Sequence, residues 1–188
     1  STILPELSEE SIFQKSLYIS RQLLGDDMCF DFDMLIDKPP YSNKYTRWHQ
    51  DAAYLISNTV NNRMLTCWVA IDDAVKENGC MWYVPGSHLL PLRKHWNSGT
   101  LLNLECEGNE DEAVAVEIKA GSCVFHHGNT LHYSRGNSTN SHRRAFIISY
   151  KSAEKINFEK QHDFKHFTVS KTYHNFFRNI ISKIKNLI

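Results

Sequence analysis

The segment Trp48-His49-Gln50-Asp51 brings an imidazole and a carboxylate to within two residues of each other. Side chains alternate between the two faces of an extended chain, so His49 and Asp51 can point the same way while Gln50 points away. Together they could supply two ligands of a metal site. Such a pair is nevertheless common, and a surface strand with one ion-paired histidine explains the pair alone more simply.

A third ligand has to come from a distant segment, and residues 125–134 contain three histidines. His126 and His127 are adjacent, so both cannot face inward from one strand, and the Gly-Asn pair after them predicts a break. His132 is favoured because it alone has a serine two residues later and an arginine beyond the next turn. His127 is then expected to pack nearby or to support the ligands. Two histidines and one carboxylate on one octahedral face, with the other positions open, are the arrangement of non-haem Fe(II) oxygenases.

The sequence also predicts an anion clamp. Residues 136–141 are six small or polar residues between His132 and Arg143, which predicts a turn that lets two strands pair and places Arg143 beside His132. A guanidinium there could bind the far carboxylate of a dicarboxylic co-substrate, and Ser134 would add a hydroxyl from the same face as His132. Strand alternation turns one of Arg143 and Arg144 inward and the other to solvent.

Further motifs extend this pattern over most of the chain, from Met34 to Tyr150. In order they are Met34-Leu35-Ile36-Asp37-Lys38-Pro39-Pro40, His49-Gln50-Asp51, Cys67-Trp68-Val69-Ala70, Glu77-Asn78-Gly79-Cys80, Val84-Pro85-Gly86-Ser87-His88, and His132 through Arg143. This series resembles the phytanoyl-CoA dioxygenase family of Fe(II)/2-oxoglutarate oxygenases. The resemblance implies a mainly β fold with flanking helices, built on a double-stranded β-helix core of the jelly-roll, cupin-like type.

The resemblance also implies the site. Fe(II) would be held by His49, Asp51 and His132, and 2-oxoglutarate by Arg143, which the family's spacing favours over Arg144. The remaining positions that touch the co-substrate in the family correspond here to Ser134, Trp68 and Met34.

The implied enzyme is a dioxygenase that uses O2 and 2-oxoglutarate to hydroxylate an unactivated carbon of a small organic substrate, with release of succinate and CO2. Asp51 favours hydroxylation over halogenation, because related halogenases need a small residue at that position. Two other classes stay open on the same barrel, a non-catalytic metal-binding module and a zinc-dependent enzyme. Arg143 with Ser134 argues against both, since a hydrolase would have no use for them.

The substrate itself is not specified by the sequence. Aromatic and polar residues near the predicted ligands are candidates for the pocket wall, although an aromatic residue in or near a strand more often packs in the core. These candidates are Trp48, Gln50, Tyr54 and Trp82, with Tyr83 beside them.

Composition limits the range of functions. The 188 residues fit one domain, 1–188, and Lys plus Arg equals Asp plus Glu at 21 each, so no global charge favours nucleic acid or a membrane surface. Five scattered cysteines are typical of reduced thiols in an intracellular, cytoplasmic protein. The sequence shows neither a secretory signal nor a run long enough to span a membrane. Family members usually carry a longer segment before the first ligand, so part of the N-terminal segment is expected to be missing.

The pattern of apolar residues predicts the elements that position these side chains. We expect a helix over residues 9–24, a loop over 41–47, a lid over 52–63 and a hairpin at Asn78-Gly79. Residues 92–112 are expected to form a surface excursion or a substrate-facing insertion. The predicted strands are 28–36, 64–71, 81–84, 114–118, one starting at 123, and 144–150. Apolar residues from Tyr173 to Leu187 predict an amphipathic basic helix that packs on its own domain or on another copy of the chain.

Overall fold

The computed structural model describes residues 11–55, 61–97 and 104–162. Its centre consists of two four-stranded antiparallel sheets. The first sheet has the order β1 (Met28–Lys38), β10 (Arg143–Ser152), β3 (Met64–Ala70) and β8 (Cys123–His127). The second has the order β2 (Thr46–His49), β9 (His132–Ser134), β4 (Met81–Tyr83) and β7 (Val114–Val116). The mainly β prediction is confirmed.

The two sheets pack face to face around one apolar core. Strand β3 is buried at every position, which is typical of a strand covered on both faces. Its inward residues Trp68 and Ala70 pack with Ile147 of β10 and with Met81 and Tyr83 of the second sheet. The space between the sheets is therefore where any buried site must lie.

The outer face of the first sheet is covered by a helix. Helix α1 (Ser11–Leu24) packs Ile12 and Phe13 against a second apolar cluster that includes Ile148 of β10. The helix ends at Leu24, as predicted. Gly25 adopts a φ of +114° and donates its N–H to the carbonyl of Arg21 at 2.9 Å. The predicted start of this helix at residue 9 lies outside the described residues.

A second helix, α2 (Ala153–Gln161), follows β10 directly. Ser152 caps it by accepting a hydrogen bond from the backbone N–H of Lys155 at 3.2 Å. Buried Lys151 ties the helix to the sheet, because its Nζ lies 2.8 Å from Glu159 and 2.9 Å from Asp31. The amphipathic helix predicted between Tyr173 and Leu187 lies outside the described residues.

The hairpin predicted at Asn78-Gly79 is wrong. Residues Lys76–Asn78 form a 3-10 turn, and Gly79 ends it with a φ of +87°. A side chain at Gly79 would also meet the carbonyl of Arg135 at 2.5 Å. The glycine is needed for positive φ and close backbone approach, but it carries the chain from β3 in one sheet to β4 in the other.

The strand pairing predicted across residues 136–141 is also wrong, because β9 and β10 belong to different sheets. The connection is a corner built around the buried side chain of Asn137. Its amide donates to the carbonyls of Lys38, Pro39 and Ser141 at 2.7 to 3.1 Å. Arg143 consequently enters the core from the sheet opposite His132.

Three other predicted segments contain short elements that the sequence did not predict. The loop predicted over residues 41–47 ends earlier, since β2 starts at Thr46. The predicted lid begins with a 3-10 turn, Asp51–Tyr54, and its residues 56–60 are not among those described. The excursion over 92–112 contains a small sheet of β5 (Trp96–Asn97) and β6 (Leu104–Glu105). In the part of the chain that the structure describes, neither helix has the length and hydrophobicity needed to cross a bilayer.

Candidate metal centre and co-substrate site

The predicted metal ligands converge between the sheets. His49 ends β2 and lies directly opposite His132 of β9, with ring centroids 4.1 Å apart. Gln50 has extended backbone angles and turns the chain so that Asp51 follows on the same side. Oδ1 of Asp51 lies 3.4 Å from Nε2 of His49 and 3.6 Å from Nε2 of His132. One ligand atom from each of the three lies within 4.8 Å of the others, a spacing that suits a single ion.

Both histidines are oriented by the same local contact. Nδ1 of His49 lies 2.8 Å from the carbonyl of Arg47, and Nδ1 of His132 lies 2.8 Å from that of Thr130. A carbonyl oxygen can only accept, so Nδ1 carries the proton and the lone pair of Nε2 faces Asp51. This orients each imidazole as a metal ligand.

The electrostatics favour the protonation states that metal binding needs. Burial lowers the pKa of His132 well below its usual value, and neighbouring His49 adds to the effect. Burial by itself would raise the pKa of Asp51, but the surrounding imidazoles outweigh it and hold this pKa well below the usual range. Burial lowers the pKa of His49 as well, yet contact with Asp51 raises it overall. An ionised Asp51 beside a neutral His132 matches the requirement for a divalent cation.

Sequence reasoning missed two contacts to Asp51. Thr66 Oγ1 donates to Oδ2 of Asp51 at 2.7 Å, and His126 Nε2 lies 3.0 Å from the same oxygen. His127 was expected to support the ligands or to pack nearby. Alternation along β8 turns His126 toward Asp51, and His127 packs against His88, with ring centres 6.0 Å apart. His127 accepts from the backbone N–H of Asn129 at 3.0 Å. Only the strand register, which places Thr66 opposite His126, could have revealed the pair.

Arg143 is a buried cation without a carboxylate partner. Its side chain is 1 % exposed, and its guanidinium carbon lies 5.3 Å from the centre of the Trp68 ring. Burial lowers the pKa of Arg143 to about 10, so the group stays charged at neutral pH. Among the described residues no carboxylate lies within ion-pair distance, and Nε and Nη1 have no hydrogen-bond partner. An unpaired buried charge is costly, so this cation is expected to receive an anion.

Other unpartnered polar atoms lie at the same end of the core. Ser134 Oγ and Trp68 Nε1 are buried and have no hydrogen-bond partner among the residues described. Lys38, which the sequence did not single out, lies opposite Arg143 in the ladder. Unlike those atoms its Nζ has partners, since it donates to the carbonyls of Arg135 at 2.5 Å, Lys44 at 3.0 Å and Ser134 at 3.5 Å. Burial and the charge of Arg143 lower the pKa of Lys38 to about 7. Unpartnered buried polar groups indicate a space made for a polar ligand.

Met34 lies at the open edge of this space. It is on the edge strand β1 opposite Ile147, which in turn lies opposite Trp68, so the three share the inner face. Its side chain is 38 % exposed. The register thus brings all four predicted co-substrate contacts, Arg143, Ser134, Trp68 and Met34, to the inner face of one sheet or the other.

Of the predicted substrate contacts, Tyr54 lies near the triad. Its ring centre is 6.3 Å from that of His49, and its hydroxyl accepts from the backbone N–H of Leu104 at 3.1 Å. Tyr83 also lies there, with its ring stacked 5.7 Å from that of His132.

The other predicted substrate contacts point away from the triad, because strand alternation directs them to the opposite side. Trp48 packs 4.0 Å from the ring of Tyr133, and Gly108 touches its other side so closely that a Cβ there would overlap the indole. Trp82 packs under the guanidinium of Arg135 at 4.6 Å. The buried amide of Gln50 donates to the carbonyl of Asn129 at 2.7 Å and accepts from the N–H of Arg93 at 2.8 Å.

Two facing sheets with a His-Asp-His triad between them define the jelly-roll class of 2-oxoglutarate-dependent oxygenases, and solved structures of that class are similar to this chain. The sequence model of the phytanoyl-CoA dioxygenase (PhyH) family matches residues 8–145. The chain belongs to this family, as the sequence predicted.

Individual relatives support this assignment. Phytanoyl-CoA dioxygenase domain-containing protein 1 of Danio rerio is 30 % identical over 129 residues, which cover 64 % of this chain and 44 % of the relative. The crystal structure of EvdO2 from Micromonospora carbonacea var. aurantiaca with 2-oxoglutarate is 31 % identical, with a TM-score of 0.74, over 79 % of this chain and 63 % of that one. The epimerase SnoN, solved with Fe3+, alpha ketoglutarate and nogalamycin RO, is 30 % identical, with a TM-score of 0.61, over 74 % and 56 %. The chain therefore spans less than half of the curated relative.

Proposed function

We propose that this chain is the catalytic domain of an Fe(II)/2-oxoglutarate-dependent dioxygenase that hydroxylates an unactivated carbon of a small organic molecule. One observation carries the proposal: a His-Asp-His triad lies between the same two sheets as buried Arg143, which has no ion-pair partner in the described part of the chain. A metal-binding module or a zinc hydrolase would need the triad but would have no use for a buried cation without a partner.

The triad would hold Fe(II) through Nε2 of His49, Nε2 of His132 and Oδ1 of Asp51. When bound, Fe(II) supplies the activation of O2 that couples oxidation of the substrate to decarboxylation of 2-oxoglutarate into succinate and CO2. Each histidine keeps its Nδ1 proton on a backbone carbonyl, so neither ring can rotate without losing a hydrogen bond. Asp51 fills the position that a halogenase would leave for chloride, which favours hydroxylation.

The clamp would bind the far carboxylate of 2-oxoglutarate. Arg143 provides the charge and two nitrogens, Nε and Nη1, that have no hydrogen-bond partner among the described residues, and Ser134 provides a hydroxyl from the facing sheet. Trp68 packs beside the guanidinium and helps to exclude water from it. A dicarboxylate is therefore held at one end by charge while its other end reaches toward the triad.

The test is turnover of 2-oxoglutarate by the purified chain. Succinate release and O2 consumption are measured after addition of Fe(II), ascorbate and 2-oxoglutarate, with a zinc-loaded sample as the control. We expect slow, iron-dependent succinate release without any added substrate. Failure of the chain to bind 2-oxoglutarate would contradict the proposal. Hydrolase activity that is as high with zinc as with Fe(II) would also contradict it.

The fate of the substrate needs a separate measurement, because one similar structure is that of an epimerase. Products from a metabolite library can be followed by mass spectrometry under labelled O2. Hydroxylation adds one labelled oxygen atom, whereas epimerisation leaves the mass unchanged. A product that lacks the label and has an unchanged mass would contradict hydroxylation.

A further inference from the structure

The two oxygens of Asp51 have different surroundings. Oδ1 faces the imidazoles of the triad, while Oδ2 accepts from Thr66 Oγ1 at 2.7 Å and lies 3.0 Å from Nε2 of His126. Thr66 and His126 are directly opposite each other in the β3–β8 ladder, so their side chains share the inner face and reach the same oxygen. One oxygen is thus left for a metal and the other is held by the protein.

Tyr83 contacts the nitrogen of His126 that faces away from Asp51. Its hydroxyl lies 3.3 Å from Nδ1 of His126, and the two ring centres are 5.1 Å apart. A phenol carries its proton at neutral pH, so this hydroxyl can donate to Nδ1 of His126. An imidazole that accepts at Nδ1 has its proton on Nε2, which faces Asp51. Every hydrogen bond then has a direction, from Tyr83 to His126 to Asp51.

We propose that His126, oriented by Tyr83, restricts Asp51 to binding the metal through Oδ1 alone and is therefore a positioning residue of this site. Binding through both oxygens would require Oδ2 to leave two donors at once, one on β3 and one on β8. This inference rests on the proposed function, which needs positions opposite the three ligands to stay open. A carboxylate that bound the metal through both oxygens would occupy one of these open positions.

The matched variants come from neighbouring residues of β8. His126→Phe removes the donor but keeps a planar ring, and His126→Gln restores an N–H at nearly the same place. His127→Phe is the control, because His127 faces away from the triad and packs 6.0 Å from the ring of His88. Tyr83→Phe removes only the hydroxyl that orients His126.

The probe is Co2+, added to the metal-free protein. Affinity is measured by calorimetry, coordination by the visible absorption spectrum of bound Co2+, and folding by thermal melting. We expect His126→Phe to weaken Co2+ binding by about 10 to 100-fold, the usual effect of removing a partner of a metal ligand, and to change the spectrum. His126→Gln should restore the wild-type affinity and spectrum. Tyr83→Phe should weaken Co2+ binding and change the spectrum slightly, in the same direction as His126→Phe. His127→Phe should change neither.

The outcomes separate this inference from the proposed function. Wild-type affinity and an unchanged spectrum in His126→Phe would overturn the inference, and so would equal changes in His127→Phe. If His126→Phe fails to fold, Tyr83→Phe decides the question, because an unchanged Co2+ spectrum in that variant also overturns it. A wild-type chain that binds Co2+ with the expected His126 dependence but never turns over 2-oxoglutarate would refute only the proposed function.

Discussion

The two faces of the first sheet are made from alternate residues of the same strands, yet they are completed in different ways. The outer face carries Ile148 and Tyr150 under helix α1, and its buried hydroxyls, those of Ser16 and Tyr150, bond to each other. The inner face carries Trp68 and Arg143, whose buried polar atoms have no partner among the described residues. The outer face is closed by the protein's own packing. The inner face needs a ligand to satisfy its polar groups.

The strongest test of the inner face is His132→Ala. Turnover of 2-oxoglutarate should fall roughly a thousandfold, because a bound metal contributes several kcal/mol to such reactions and two ligands hold it poorly. Succinate release measures the effect. The control is His88→Ala, a loop histidine that contacts His127 rather than the triad. Full retained turnover in His132→Ala would remove His132 from the ligand set.

Arg143→Met tests the clamp. The KM for 2-oxoglutarate should rise by about 10 to 100-fold, since a hydrogen bond to a charged group contributes about 1.5–3 kcal/mol. The ligand-free protein should lose little or no stability, because the variant removes a buried charge that has no partner.

The matched control for Arg143→Met is Arg144→Met. Arg144 points to the other face and bonds twice to Asp72 at 2.7 Å, so its loss should leave this KM unchanged. A clear loss of stability in ligand-free Arg143→Met would show that the inner face is closed without a ligand.

Ile148→Ala should produce the opposite pattern on the outer face. Ile148 is fully buried, so its truncation is expected to lower the free energy of unfolding by about 2–5 kcal/mol. The KM for 2-oxoglutarate should stay near that of the wild type. Urea unfolding and succinate kinetics on the same sample measure both. A raised KM without a loss of stability would contradict the assignment of Ile148 to packing alone.

The smallest expected effects come from one serine on each side of the sheet. Ser134→Ala should raise the KM for 2-oxoglutarate by about tenfold or less, because it removes one hydrogen bond to the carboxylate but leaves the charge of Arg143 in place. Ser16→Ala should instead lower the free energy of unfolding by about 0.5–1.5 kcal/mol, because it breaks the contact with Tyr150. If Ser134→Ala lowers stability and leaves the KM alone, Ser134 is part of the packing and not of the clamp.

The alternation of side chains along a single strand could be predicted from the sequence. The residues that share a face of one strand could therefore be predicted as well. The period of two placed His49 with Asp51 and separated Arg143 from Arg144, and each pair behaves accordingly. The same rule applied across strands gave errors. Asn78-Gly79 and residues 136–141 have the composition of hairpin turns, but each connects one sheet to the other. Turn composition specifies local backbone angles, whereas the partner of the next strand is decided by how the two sheets pack.

The contacts around the metal ligands also could not be predicted from local sequence patterns. His126 and His127 are equivalent in sequence, and only the register of β8 against β3 selects His126 to face Asp51. Trp48 and Trp82 were predicted to form part of an aromatic wall of the substrate site. Adjacent strand residues face opposite sides, and both pack against Tyr133 or its neighbour Arg135.

The sequence alone determined the chemistry available to this protein: two imidazoles and a carboxylate at strand spacing, a later arginine, and the family series that contains them. Residue types and local periodicity are properties of the chain itself, so they can be found without a fold. The tertiary structure decided which sheet carries each group, which oxygen of Asp51 remains free for a metal, and that Arg143 is buried with no counter-ion among the residues described. Those properties depend on register and on packing between distant strands, and no local pattern encodes them.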